Sequence, residues 1–314
     1  MAQENPHLHP GDGEPALKGN RWLAYSALAA VCLFWGTTYL AIRMSLESLS
    51  PAWLVAIRYT ISGSILVGVA LARGARFPRS KGLWAAIGCG VLILGGGNGS
   101  LAFAETIIPS GLASLFITTS PFWLVGIEAL LPGGERLHVP TILGMIVGFG
   151  GAALLLTTGI QGERVEHAAL IGFLILQAGV VSWTFGSILQ RRAAIAAHPA
   201  VTGAVQQLLV GLIYFPVALL TPYHHPIVWQ MRSLLAVIYL AIFGGIVGYS
   251  SYMYALENLP VAITSVYPYI NCVVAVALGW LMYREPFGWR EAAGMLIIFA
   301  GVAIVKWTTG KASR

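Results

Sequence analysis

The chain has 314 residues, of which 57% are hydrophobic and 10% charged, with a mean hydropathy of +0.76. Soluble domains carry about 25% charged residues, so water is excluded as the solvent for most of this chain. The net charge of +6 therefore reads as membrane topology rather than as affinity for nucleic acid.

Residues 1–21 are polar and rich in Pro, Gly and His. They lack the apolar core of a cleavable signal and read as a disordered cytoplasmic tail. Apolar segments follow at about 22–44, 51–72, 83–106, 109–131, 139–157, 168–190, 199–221, 233–255, 260–283 and 287–307. Each is long enough to cross a hydrocarbon core roughly 30 Å thick. Runs this continuous form helices, because backbone groups in lipid must be satisfied within the segment. Arg73, Arg76, Arg79, Lys81, Arg191, Arg192 and Lys306 gather on the side of the amino terminus, whereas the opposite side holds few basic residues. This bias puts both termini in the cytoplasm, with 308–314 a second cytoplasmic tail.

The chain is written twice. Trp35 corresponds to Trp183, Arg43 to Arg191, Pro51 to Pro199 and Gly63 to Gly211, at a constant offset of 148. Further on, Pro109 corresponds to Pro260, Glu135 to Glu285, Gly144 to Gly294 and Gly151 to Gly301. Five spans per copy is an odd number, so the second copy enters the membrane with opposite polarity. The fold class is an all-α integral membrane protein of ten transmembrane helices in two inverted-topology five-helix repeats, 22–157 and 168–307. In such architectures the functional site lies near the midplane, where the repeats meet.

Glycines at Gly144/Gly148, at Gly244/Gly248 and along Gly172, Gly179 and Gly186 have the spacing of close helix packing. Gly95–Gly99, with Asn98 among them, instead weakens the third span near its middle. An interrupted helix there points to a binding site, and an Asn bonding between helices is the competing reading.

Charges inside the bilayer are functional candidates by default. Arg58 lies two turns into the second span, and its counterpart Gln206 two turns into the seventh. Arg58 is a candidate to hold a substrate carboxylate or to form a gating ion pair with Glu105, near the outer end of the third span. Polar and aromatic side chains at midplane depth complete the candidate site: Trp35, Thr38, Asn98, Thr118, Thr119, Trp183, Tyr249, Tyr267 and Asn271. Packing is the bland alternative for each aromatic taken singly. Cys32, Cys89 and Cys272 stand apart, with no metal or disulfide spacing, and all His lie in the tail or loops. No metal, cofactor or catalytic group is indicated, and the chain reads as a non-enzyme.

In order and spacing, Phe34–Tyr39, Pro51 with Arg58, Ser182-Trp183, Ala262 to Glu285 and Gly294 with Gly301 resemble the drug/metabolite transporter superfamily, EamA type. Gly97–Gly99, Ala104-Glu105, Pro109–Gly111 and Tyr252–Tyr254 are similar to its YedA-like branch. The resemblance implies a bacterial inner-membrane permease exporting small metabolites, such as amino acids, by alternating access. Organic-cation efflux, a membrane enzyme and a non-transporting scaffold are the alternatives. Cys272 departs from the family, which usually has Pro there.

Overall fold

The computed structural model describes residues 21–132, 138–158, 163–193, 195, 197–221, 230–259, 266–285 and 287–312. The amino-terminal tail, the turn carrying Glu135 and Arg136, and the first residues of the ninth span from Pro260 lie outside them. Among the described residues every regular element is helical. The elements are α1 (Arg21–Leu46), α2 (Pro51–Ala72), α3 (Lys81–Gly90), α4 (Gly99–Ala104), α5 (Ser110–Ile117), α6 (Ser120–Leu130), α7 (Val139–Thr158), α8 (Glu163–Arg192), α9 (Pro199–Leu220), α10 (Met231–Tyr239), α11 (Tyr249–Asn258), α12 (Tyr267–Tyr283) and α13 (Trp289–Ala312). Two π-helical segments, Val91–Asn98 between α3 and α4 and Leu240–Gly248 between α10 and α11, complete the third and eighth apolar segments.

Among the described residues seven helices are long and apolar enough to cross a membrane, and Val139–Leu155 and Tyr267–Tyr283 are shorter apolar helices. Leu33, Ile146, Leu212, Leu235 and Trp280 point outward, while Leu54, Phe116, Phe122, Leu155 and Ile298 fill the centre. The last helix runs on to Ala312, so the expected tail from 308 begins as helix.

Local chemistry sets the ends of the elements. Pro51 starts α2, where its missing N–H costs nothing, and Ser50 Oγ accepts from Trp53 N at 3.3 Å. Pro121 follows Ser120 at the start of α6, so the fourth segment breaks into α5 and α6 at the run Thr118-Thr119.

Helices pair between the two halves. In α2 and α9, a Cβ on Gly63 would lie 2.2 Å from Leu208 N, and one on Gly211 would lie 2.4 Å from Thr60 N. In α7 and α13, Gly144 abuts the Gly301 carbonyl and Gly151 abuts the Gly294 carbonyl, each 2.9 Å from where a Cβ would sit. Both contacts are reciprocal: where Gly63 meets Leu208, their repeat counterparts Gly211 and Thr60 meet in turn, as Gly294 and Gly151 do for Gly144 and Gly301, so the paired helices run in opposite directions. The same exchange governs α1, which packs on the α10–α11 segment and on α12, while α8 packs on the α3–α4 segment and on α5 and α6.

Glu285, just past α12, ties the ends of two segments together. Its carboxylate accepts from Ser110 N at 3.0 Å, Ser110 Oγ at 2.8 Å and Gly111 N at 2.9 Å. These are otherwise orphan donors of the first turn of α5, and the positive end of that helix favours the charge. Glu285→Ala is expected to cost about 2 kcal/mol or more, read as a lowered melting temperature in detergent.

Candidate functional site

The π-helical segments set the geometry of the centre. Their wide turns expose carbonyls to side chains from neighbouring helices. Trp35 Nε1 donates to Gly244 O at 3.1 Å, Gln207 Nε2 to Gly245 O at 3.4 Å, Tyr214 Oη to Gly95 O at 2.7 Å and Ser182 Oγ to Leu92 O at 2.8 Å. The indole of Trp35 lies against Gly248 and that of Trp183 against Gly97. A side chain at either glycine would occupy the indole's space.

Between these segments lies a cavity of about 100 Å³, room for several waters. Its walls come from both halves of the chain. Trp35 stands at the middle of an aromatic group, with ring centroids 5.9 Å from Trp183, 5.1 Å from Tyr252 and 5.2 Å from Tyr267. Thr38 is fixed by donating to Trp35 O at 2.6 Å. In the amide orientation that satisfies its surroundings, Asn271 Nδ2 donates to Cys32 O at 2.7 Å and Tyr267 O at 3.1 Å. Arg58 supplies the charge. It is 4% exposed, its guanidinium lies 4.5 Å from the Tyr59 ring centroid, and its Nε has no hydrogen-bond partner.

Trp35, Thr38, Arg58, Asn98, Trp183, Tyr249, Tyr267 and Asn271 thus converge on one cavity. Thr118, Thr119 and Gln206 do not line it. Thr118 and Thr119 are fully buried and donate back to the Leu115 and Phe116 carbonyls, where α5 ends, with Thr119 also bonded to Gln177. Gln206 accepts from Tyr249 Oη at 2.9 Å and donates to Gln190 at 2.7 Å. The expected Arg58–Glu105 ion pair is not formed, and both carboxylate oxygens of Glu105 lack a partner. Ser120 and Gln207, each next in the chain to an expected residue, also face the cavity, as do Gly244 and Gly245. Gly244-Gly245…Gly248 repeats Gly95-Gly96…Gly99 at an offset of 149, a signal that marks the eighth segment as the twin of the third.

Two further cavities flank the centre. One of about 240 Å³ is lined by Gln190, Arg191, Ala197 and Tyr252, and shares Tyr249 with the central cavity. The other, of about 530 Å³, is lined by Arg43, Glu47, Phe103 and Glu105. Arg191 pairs there with no buried acid: its carboxylate partner, Glu128, lies 3.9 Å away and both are exposed.

Trp35→Phe keeps the ring contacts but removes the donor to Gly244 O. The expected loss is about 1 kcal/mol, seen as a lower melting temperature; an unchanged melting point would mean the bond carries no weight.

The comparisons agree with this architecture. A solved crystal structure superposes with a TM-score of 0.65 at 23% identity, covering 91% of this chain and 97% of that one. The uncharacterized inner membrane transporter YedA of Escherichia coli (strain K12) is 30% identical over 289 residues, 91% of each chain. A probable amino-acid metabolite efflux pump of the same strain is 25% identical over 293 residues, 87% of this chain and 91% of the relative. The EamA-like transporter family matches residues 22–157 and again 170–307. A doubled helical bundle closed around a central cavity, matched by that family in both halves, belongs to the EamA-like transporter family.

Proposed function

We propose that the chain is a ten-span secondary transporter of the bacterial inner membrane, carrying small amphipathic metabolites such as amino acids outward by alternating access. The observation that carries this reading is the central cavity, walled from both halves by aromatic rings and holding one buried guanidinium. Rings take up the apolar part of a solute, and Arg58 takes up its carboxylate. The reciprocal, antiparallel contacts of Gly63 with Leu208 and Gly211 with Thr60, and of Gly144 with Gly301 and Gly151 with Gly294, support two five-span repeats of opposite polarity. Rocking one repeat against the other would open the centre first to the Tyr249 side and then to the Glu105 side. The basic residues near the amino-terminal side support cytoplasmic termini, and a reporter fused after Arg314 that scores as external would reverse that orientation.

A guanidinium in the cavity argues against organic cations as the main cargo, since an unpaired positive charge in low dielectric repels them. The discriminating experiment is a thermal-shift screen of purified protein against amino acids and quaternary amines. A ligand that binds the folded state raises the melting temperature by mass action. Stabilisation by amino acids supports the reading; stabilisation by the amines alone overturns it in favour of cation efflux.

A further inference from the structure

Glu105 stands one residue beyond α4 and is 1% exposed, with no hydrogen-bond or ion-pair partner at either carboxylate oxygen. It borders the outer cavity of about 530 Å³, so the group is both buried and within reach of a space that admits water. Its surroundings hold cations that do not take it. From α1, Arg43 Nη1 goes to the backbone carbonyls of Glu105 at 3.1 Å and Ile108 at 3.4 Å, not to the carboxylate. From α2, Arg58 stays over Tyr59 and lines the central cavity. The other titratable groups facing it are Tyr39 on α1 and Glu285 beyond α12, which is consumed by Ser110 and Gly111. Across the same cavity, Glu47 is held by Arg232 at 3.6 Å and by Tyr283.

An ionised carboxylate buried without a partner is costly, and such a group takes a proton instead. With two guanidinium groups near, an ionised Glu105 would draw one of them into contact. We propose that Glu105 carries a proton in this state, taken up from the outer cavity, and that this frees Arg58 to hold a carboxylate in the central cavity. The step moves one proton between water and a Glu105 oxygen and breaks no other bond. Ionised, Glu105 attracts Arg58 and weakens its hold on an anion; neutral, it leaves the guanidinium to the ligand. Proton and carboxylate ligand therefore bind with positive coupling, and by linkage each strengthens the other. The inference rests on the transport reading above for its ligand, but not for the proton.

Two measurements test it. Infrared spectra of the ligand-free protein near neutral pH are expected to contain a protonated carboxylic-acid band that Glu105→Gln removes. Absence of that difference overturns the proton site. In calorimetric titrations, phenylalanine affinity is expected to weaken by up to about tenfold per unit of rising pH in the wild type. In Glu105→Gln it should stay at the tight, acid-side value throughout. Phenethylamine, which lacks the carboxylate, should show no such dependence. Phenylalanine binding that ignores pH in the wild type, or that follows pH equally in Glu105→Gln, overturns the coupling. Failure of phenylalanine to bind at any pH, with the acid band present, defeats the amino-acid reading and the coupling together while leaving the proton site standing.

Discussion

Gly63→Val is expected to leave no monodisperse protein on size exclusion in detergent. The position a Cβ would take is 2.2 Å from Leu208 N and 2.5 Å from Leu208 Cα. These are backbone atoms, which no rotamer change moves aside. The helices would have to separate, and because α2 and α9 join the two halves of the bundle, the separation spreads. Overpacking usually costs about 1–3 kcal/mol; here the obstacle is main chain and the cost lies at or above the top of that range. Gly68→Val, on the same helix with nothing within 4 Å of its Cβ position, supplies the control and should purify like the wild type. Equal behaviour of the two variants would contradict the close approach.

Arg58→Gln is expected to separate stability from binding. Charge-assisted hydrogen bonds contribute about 1.5–3 kcal/mol, so amino-acid affinity should fall by roughly ten- to a hundredfold. The melting temperature should hold or rise, because the change removes a buried charge that has no ion-pair partner in the structure. Arg58→Lys keeps the charge but loses the planar fork and should restore only part of the affinity. Affinity unchanged in Arg58→Gln would remove this residue from the site. A fall in both quantities together would recast it as structural support.

The fold was legible because membrane physics constrains it so tightly. Long apolar runs mark the helices, and the repeated residues Trp35/Trp183, Gly63/Gly211 and Gly144/Gly294 mark the duplication that the family match to both halves shows. The site was legible at the level of depth but not of direction. Thr118, Thr119 and Ser120 lie at one depth, yet successive helical residues point about 100° apart, and Ser120 is the one that faces the cavity. The same ambiguity exchanges Gln206 for Gln207. The wide turns were half seen: Asn98 and the glycines around it drew notice, while Gly244–Gly248 looked like ordinary packing. The Arg58–Glu105 pair failed for another reason. Opposite charge marks two residues as possible partners, but whether they meet depends on protonation and on competing acceptors, and neither is written in their spacing.

The two π-helical segments occupy the same place in each half, Gly95 and Gly96 matching Gly244 and Gly245. A π-helical turn accommodates an extra residue in the helix. Each half therefore gives the cavity one wall with the same irregularity, and the carbonyls freed by the widened turns, Gly95 O in one half and Gly244 O in the other, are taken by side chains reaching across from the opposite half.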